Sequence, residues 1–316
     1  MKNFYLLAFT SLLLSFTLQK DEPSARHYKI YSSKALKEVK LEDIVADMKN
    51  YDVVFFGEEH NDSVAHYLQY ELIKGLHASY GDKVALCMEM FETDCQMVLD
   101  EYLKDQIREK NFTKEARAWP NYRNYKPMVE FAKEKKLAVI AGNAPSRYVN
   151  MAARKGRNSL EDLTATAKSF LPPLPYDTAS GAYYEKFMEV MSDGRSAGIK
   201  TTDSAKKVLP AANSMMPKYI VHSQSLWDAT MAYSISKIFK KNKQTKVLQL
   251  NGRFHSDGGM GTVTQLRKYN PKLRILVISS FAPEKGFPDS LNYEENKKLG
   301  DYVIYTDPKV PKTYKQ

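Results

Sequence analysis

Two short segments, Gly57-Glu58-Glu59-His60 and Gly252-Arg253-Phe254-His255, share the spacing Gly-x-x-His, and each directly follows an apolar run. A glycine lets the chain turn sharply, so a histidine three residues later can face back over a strand end. Other apolar runs also end on polar groups: Glu89 after Val84 to Met88, Asn143 after Leu137 to Ala141, and Asn251 after Val247 to Leu250. A charge at such a place must be exposed or paired. Together these groups suit three chemistries: acid/base work by His60, His255 and Glu89 with Glu58 as base, a divalent-metal site of His60, His255 and Glu89, or ligation of a larger cofactor. Residue types alone leave all three open.

Further candidates lie close by in the sequence. Arg147 enters the segment after Asn143-Ala144-Pro145, and Leu226-Trp227-Asp228-Ala229-Thr230-Met231-Ala232 places an acid inside a helical pattern beside a large aromatic. An acid in such surroundings needs a partner such as Arg or His. His66, His77 and His222 read as polar-face or capping residues, and His27 as a residue without a role. The aromatics of Trp119-Pro120-Asn121-Tyr122-Arg123-Asn124-Tyr125 read as packing, with a ligand platform as the lesser reading.

The elements that must position these groups follow from the apolar runs. Asp52 to Gly57, Val84 to Met88, Leu137 to Ala141, Val247 to Leu250 and Arg274 to Ser279 are continuous rather than alternating, as strands covered on both faces are. Helical patterns at Ser63–Tyr80, Tyr125–Lys135, Ser146–Lys155, Tyr219–Lys241 and Gly261–Tyr269 separate them. The alternation predicts an α/β fold with a mainly parallel sheet and crossover helices, whose strand ends offer a crevice for ligands. The long interval between Ala141 and Val247 exceeds a simple crossover; it predicts a smaller helical subdomain, mainly within 156–218 and punctuated by Pro172-Pro173-Leu174-Pro175 and the Gly-bearing segment from Asp193 to Gly198. The α/β domain is expected over 28–306, with 307–316 as a basic tail. Asp62 or Ser63 is expected to cap the first long helix.

With 316 residues and 43% hydrophobic content, the chain can build a substantial core. Lys and Arg number 47 against 37 Asp and Glu, for a net charge of +10, but the excess is dispersed rather than gathered into a stripe, so nucleic acid is not the expected partner. Cys87 and Cys95 are the only 2 cysteines and read as packing residues, not a disulfide framework. Lys2 followed by the apolar run Tyr5 to Leu18 reads as an export segment over 1–19. No cysteine stands between Ser15 and Lys20, so a lipid anchor has no acceptor there.

Taken in order, Gly57-Glu58-x-His60, Glu89-Met90-Phe91, Trp119 with Tyr125, Phe131-Ala132-Lys133, Asn143-Ala144-Pro145-x-Arg147, Leu226 to Ala232 and Gly252-x-x-His255 resemble the ChaN-like haem-binding family. The likeness runs roughly from Tyr51 to Ser280. A wider group, including erythromycin esterase-like and Tiki/TraB proteins, shares the paired Gly-x-x-His segments and strand-end glutamates. The resemblance implies a parallel sheet with a smaller helical domain and a periplasmic or outer-membrane location. It further implies haem bound through a tyrosine, a homodimer, and envelope partners in haem uptake. Tyr122, Tyr125 and Tyr219 are the tyrosines considered as ligands, with Asn143, Arg147, Trp227, Asp228 and Asn251 as pocket residues. Absence of Cys-x-x-Cys-His excludes covalent c-type attachment. The sequence departs from the family at the missing lipid-anchor cysteine and in the bulky Arg253-Phe254 pair.

Overall fold

The computed structural model describes residues 23–192 and 217–314. The expected export segment and the stretch from Asp193 to Gly198 lie outside the described residues. Eight strands form one sheet: β1 (Tyr28–Ser32), β2 (Lys37–Val39), β3 (Val53–Glu58), β4 (Val84–Glu92), β5 (Ala138–Asn143), β6 (Lys246–Gly252), β7 (Ile275–Phe281) and β8 (Tyr302–Thr306). Their order is β2-β1-β8-β7-β3-β6-β4-β5. From β8 to β5 every pairing is parallel, while β1 runs antiparallel to β8 and to β2.

Residues alternate strictly between two apolar layers. On β3, Val54 and Phe56 face a core shared with Leu68, Leu72, Tyr125 and Met128, and Val53 and Phe55 face one shared with Ile235, Phe239, Val263 and Leu266. The helices Ser63–Tyr80 and Tyr122–Glu134 therefore cover one face, and Ile220–Lys241 and Thr262–Tyr269 the other. Burying each of Phe55 and Phe56 contributes about 2–3 kcal/mol. A third cluster, built on Val149, Leu160, Leu171, Tyr176 and Leu226, joins the helical region after Asn143 to the helix Ile220–Lys241. Cys87 and Cys95 are both buried thiols.

Strand order makes the crevice. The chain passes from β3 to β4 and only later inserts β6 between them, so the ends of three strands distant in sequence lie side by side. Register then sets neighbours: Gly57 lies against Asn251, Glu58 against Gly252, and Met88 against Leu250. Both motif glycines are required by space. A Cβ on Gly57 would come within 2.9 Å of the Arg253 backbone, and one on Gly252 within 2.8 Å of His60 Nε2.

The first long helix starts on Asp62, whose Oδ1 accepts from the amides of Val64 and Ala65 at 2.9 and 3.1 Å. Its Oδ2 accepts from Thr306 at the end of β8. Replacing such a cap with alanine costs about 1–2 kcal/mol. Ser63 is not the cap. Its hydroxyl donates to Pro311 O at 2.9 Å, so the expected basic tail is docked on the domain through Tyr314 rather than trailing from it.

Candidate functional site

Glu58 ends β3 with its carboxylate fully buried. Oε1 receives Tyr125 OH at 2.5 Å and pairs with His60 Nδ1 at 2.9 Å; Oε2 receives Gln69 Nε2 at 2.5 Å and lies 3.3 Å from His66 Nε2. Burial alone would raise its pKa, but the neighbouring His66 and His60 imidazoles, the latter hydrogen-bonded to it, hold it far below the usual carboxylate range. Glu58 is thus a buried carboxylate held by four side chains, Tyr125, His60, Gln69 and His66.

A second hub mirrors it across the sheet. Asp228, wholly buried in the helix Ile220–Lys241, accepts from Tyr183 OH at 2.8 Å and Thr262 Oγ1 at 2.9 Å, and pairs with His255 Nδ1 at 2.7 Å. Gln224 Nε2 stands 3.1 Å from the same imidazole nitrogen and donates to Tyr183 OH at 3.0 Å. Burial would lower the His255 pKa; the charges of Glu89 and Asp228 and the Asp228 hydrogen bond instead push it up to about 9. For His60, burial is likewise outweighed, by the hydrogen bond to Glu58 and the charges of Glu89 and Glu58.

Glu89 lies between the two hubs. Its Oε2 accepts the Gly252 amide at 2.7 Å, and its Oε1 is 3.6 Å from His255 Nε2. His60 Nε2 and Glu89 Oε2 both border the space a side chain at Gly252 would take. His60 and His255 thus each set Nδ1 against a carboxylate of their own hub, Glu58 or Asp228, and both feel the charge of Glu89. The chain's two tryptophans present their edges to these imidazoles, Trp119 to His60 at 5.1 Å and Trp227 to His255 at 6.4 Å between ring centroids.

Other expected residues fall into separate groups. Asn251 donates to Ser256 Oγ at 3.0 Å and holds the second turn, and Asn143 Oδ1 accepts its neighbour Ala144 N–H at 2.9 Å. Arg147 faces outward and pairs with Asp94 at 2.5 Å, away from the crevice. Tyr122 and Tyr125 belong to the core, and Tyr219 stacks on His222 at 5.1 Å. The grouping of His60, Glu89 and His255 as a divalent-metal set is not realised: among the described residues no three His, Cys, Asp or Glu side chains are placed to hold an ion. A cavity of about 550 Å³ lies at the opposite end of the sheet, beside Lys34, Asp43, Asp47 and Asp301, and has no part in the crevice.

Several participants were not singled out from sequence. His66 and Gln69 read as a helix's polar face, yet both are buried against Glu58. Tyr183 and Gln224 belong to the second hub. Tyr184, exposed to 41%, stands on the helix Gly181–Ser192 with Met188 and Met191 on the same side at helical spacing.

Fold and site define a mostly parallel α/β protein with a strand-end crevice of two carboxylate-paired histidines around a third carboxylate. Residues 44–266 match the family described as haem-binding uptake, Tiki superfamily, ChaN, and the chain belongs to that family. ChaN of Campylobacter jejuni, a structure of cofacial haem binding, is similar in fold at 16% identity and a TM-score of 0.62, covering 90% of this chain and 98% of that one. The type III effector HopBA1 has 11% identity and a TM-score of 0.47 over 84% of this chain and 93% of the effector. For an erythromycin esterase mutant in its open conformation the identity is 12% and the TM-score 0.45, over 89% of this chain and 83% of the esterase. Neither of these last two bears on the chemistry. No curated protein matches the chain by sequence.

Proposed function

We propose that this chain binds haem at the cell envelope, in the periplasm or at the outer membrane, and serves haem or iron uptake. Family membership supports haem, and the observation that carries the reading in this structure is Tyr184. Among the described residues it is the exposed tyrosine, and Met188 and Met191 beside it offer apolar, polarizable contact to a ring. The crevice imidazoles are already engaged by carboxylates, His60 by Glu58 and His255 by Asp228. The Campylobacter jejuni protein is described by cofacial haem binding, and two copies of this chain meeting through the helix Gly181–Ser192 would bring two such sites together. A net charge of +10 favours propionates, and the segment 1–19 reads as an export signal. Titrating apo-protein with haemin should give a Soret shift at micromolar concentration, and folded protein that gives none would overturn the reading.

The paired hubs favour a second reading, a hydrolase. A carboxylate such as Glu89, flanked by two oriented imidazoles, can take a proton from water while protonated His255 stabilises developing negative charge. Glu89→Gln should abolish turnover of any ester or peptide that the purified protein cleaves. Equal rates in protein and variant would remove this reading.

A further inference from the structure

Residues 311–314 lie across the turn that carries His60. Thr313 N–H donates to Asn61 O at 2.9 Å, Asn61 Nδ2 donates to Tyr314 O at 3.4 Å, and Ser63 Oγ donates to Pro311 O at 2.9 Å. Arg123 Nη2 donates to Thr313 O at 3.2 Å, tying the segment to the helix Tyr122–Glu134 as well. Lys312 Nζ pairs with Glu59 Oε2 at 3.3 Å, and Val310 packs on the main core. From the other side, Asn121 Nδ2 donates to His60 O at 3.3 Å and the Trp119 ring edge meets the imidazole. The turn is clamped from both sides.

What the clamp borders matters more than its strength. His60 is the most open member of the crevice, its side chain 14% exposed against 9% for His255 and 8% for Glu89. The Tyr314 phenol lies close enough to Tyr125 to help raise the pKa of that residue, and Tyr125 donates to Glu58. The segment therefore runs from Glu59 toward the Tyr125–Glu58 hydrogen bond, beside the turn that carries His60. Its contacts are a few ordinary hydrogen bonds and one half-exposed ion pair, each of modest strength. Such a segment opens locally far more readily than the sheet beneath it unfolds.

We propose that residues 310–314 form a strap that positions His60 and closes the crevice on that side, so that a ligand gains His60 only when the strap lifts. The proposal rests on the packing of this segment and stands whether or not haem binds.

The test compares the full chain with a variant ending at Pro308, using diethyl pyrocarbonate as probe and mass spectrometry to read modification at each histidine. Modification of His60 should accelerate about tenfold or more on truncation, the factor that losing a few hydrogen bonds supplies, while His222 and His255 keep their rates. Thr313→Pro, which removes the amide donor to Asn61 and fixes φ at that position, should shift His60 in the same direction by less, and it carries the test if the truncated chain does not fold. An unchanged His60 rate in both variants, or equal acceleration at all three histidines, would overturn the strap.

Discussion

The crevice at the ends of β3, β4 and β6 and the outer face of the helix Gly181–Ser192 hold two kinds of functional group in opposite states. In the crevice the carboxylates are engaged by neighbouring side chains, and Glu58 and Asp228 each accept from at least three of them. On the helix, Tyr184 presents an exposed phenol beside two methionines. Pairing in the crevice fixes geometry and protonation and leaves little room; exposure on the helix leaves room for a flat ligand and fixes nothing. Acid/base chemistry needs the first condition and surface ligation of haem the second. The two proposed activities would therefore draw on different regions of the chain.

The largest effect that separates the two regions is Asp228→Ala. It leaves His255, Tyr183 and Thr262 without their buried acceptor, and we expect a loss of about 3–5 kcal/mol in denaturant melts. A loss below about 1 kcal/mol would show that the hub is not a structural unit. Next comes pH. The folded-state pKa of His255 is raised from 6.5 to about 9, so its contribution is complete below about pH 6.5 and lost as pH rises through 9. Melts of the protein minus those of His255→Gln should show up to about 3 kcal/mol disappearing over that window, and a flat difference would refute the assignment. Smallest in stability is Tyr184→Phe, expected to stay within about 0.5 kcal/mol because the residue is exposed.

Much of this architecture is readable from sequence where burial is two-sided. The five long apolar runs are β3, β4, β5, β6 and β7, and the helix Ser63–Tyr80 begins and ends where its pattern does. The antiparallel edge was not legible: β1 and β2 interleave lysine with apolar residues, and β8 is short with no crossover helix pattern before it. Within the site, Asp228 announced its need for a partner, because an acid beside Trp227 in a helix cannot stay unpaired. The same argument applied to Glu58 would have pointed to His66 and Gln69, which lie 8 and 11 residues on, along the helix that follows. Helical periodicity assigns them to the polar face, and only the buried charge turns that face inward. Tyr184 carries no motif; its exposure is a property of the packed helix.

Haemin titration of the protein beside Tyr184→Phe and Tyr125→Phe bears most directly on haem binding at the outer helix. The account predicts a Soret shift with a tyrosinate charge-transfer band in the protein and in Tyr125→Phe, and loss of that band in Tyr184→Phe with its melting curve unchanged. Retention of the band in Tyr184→Phe, or its loss in Tyr125→Phe alone, would contradict it.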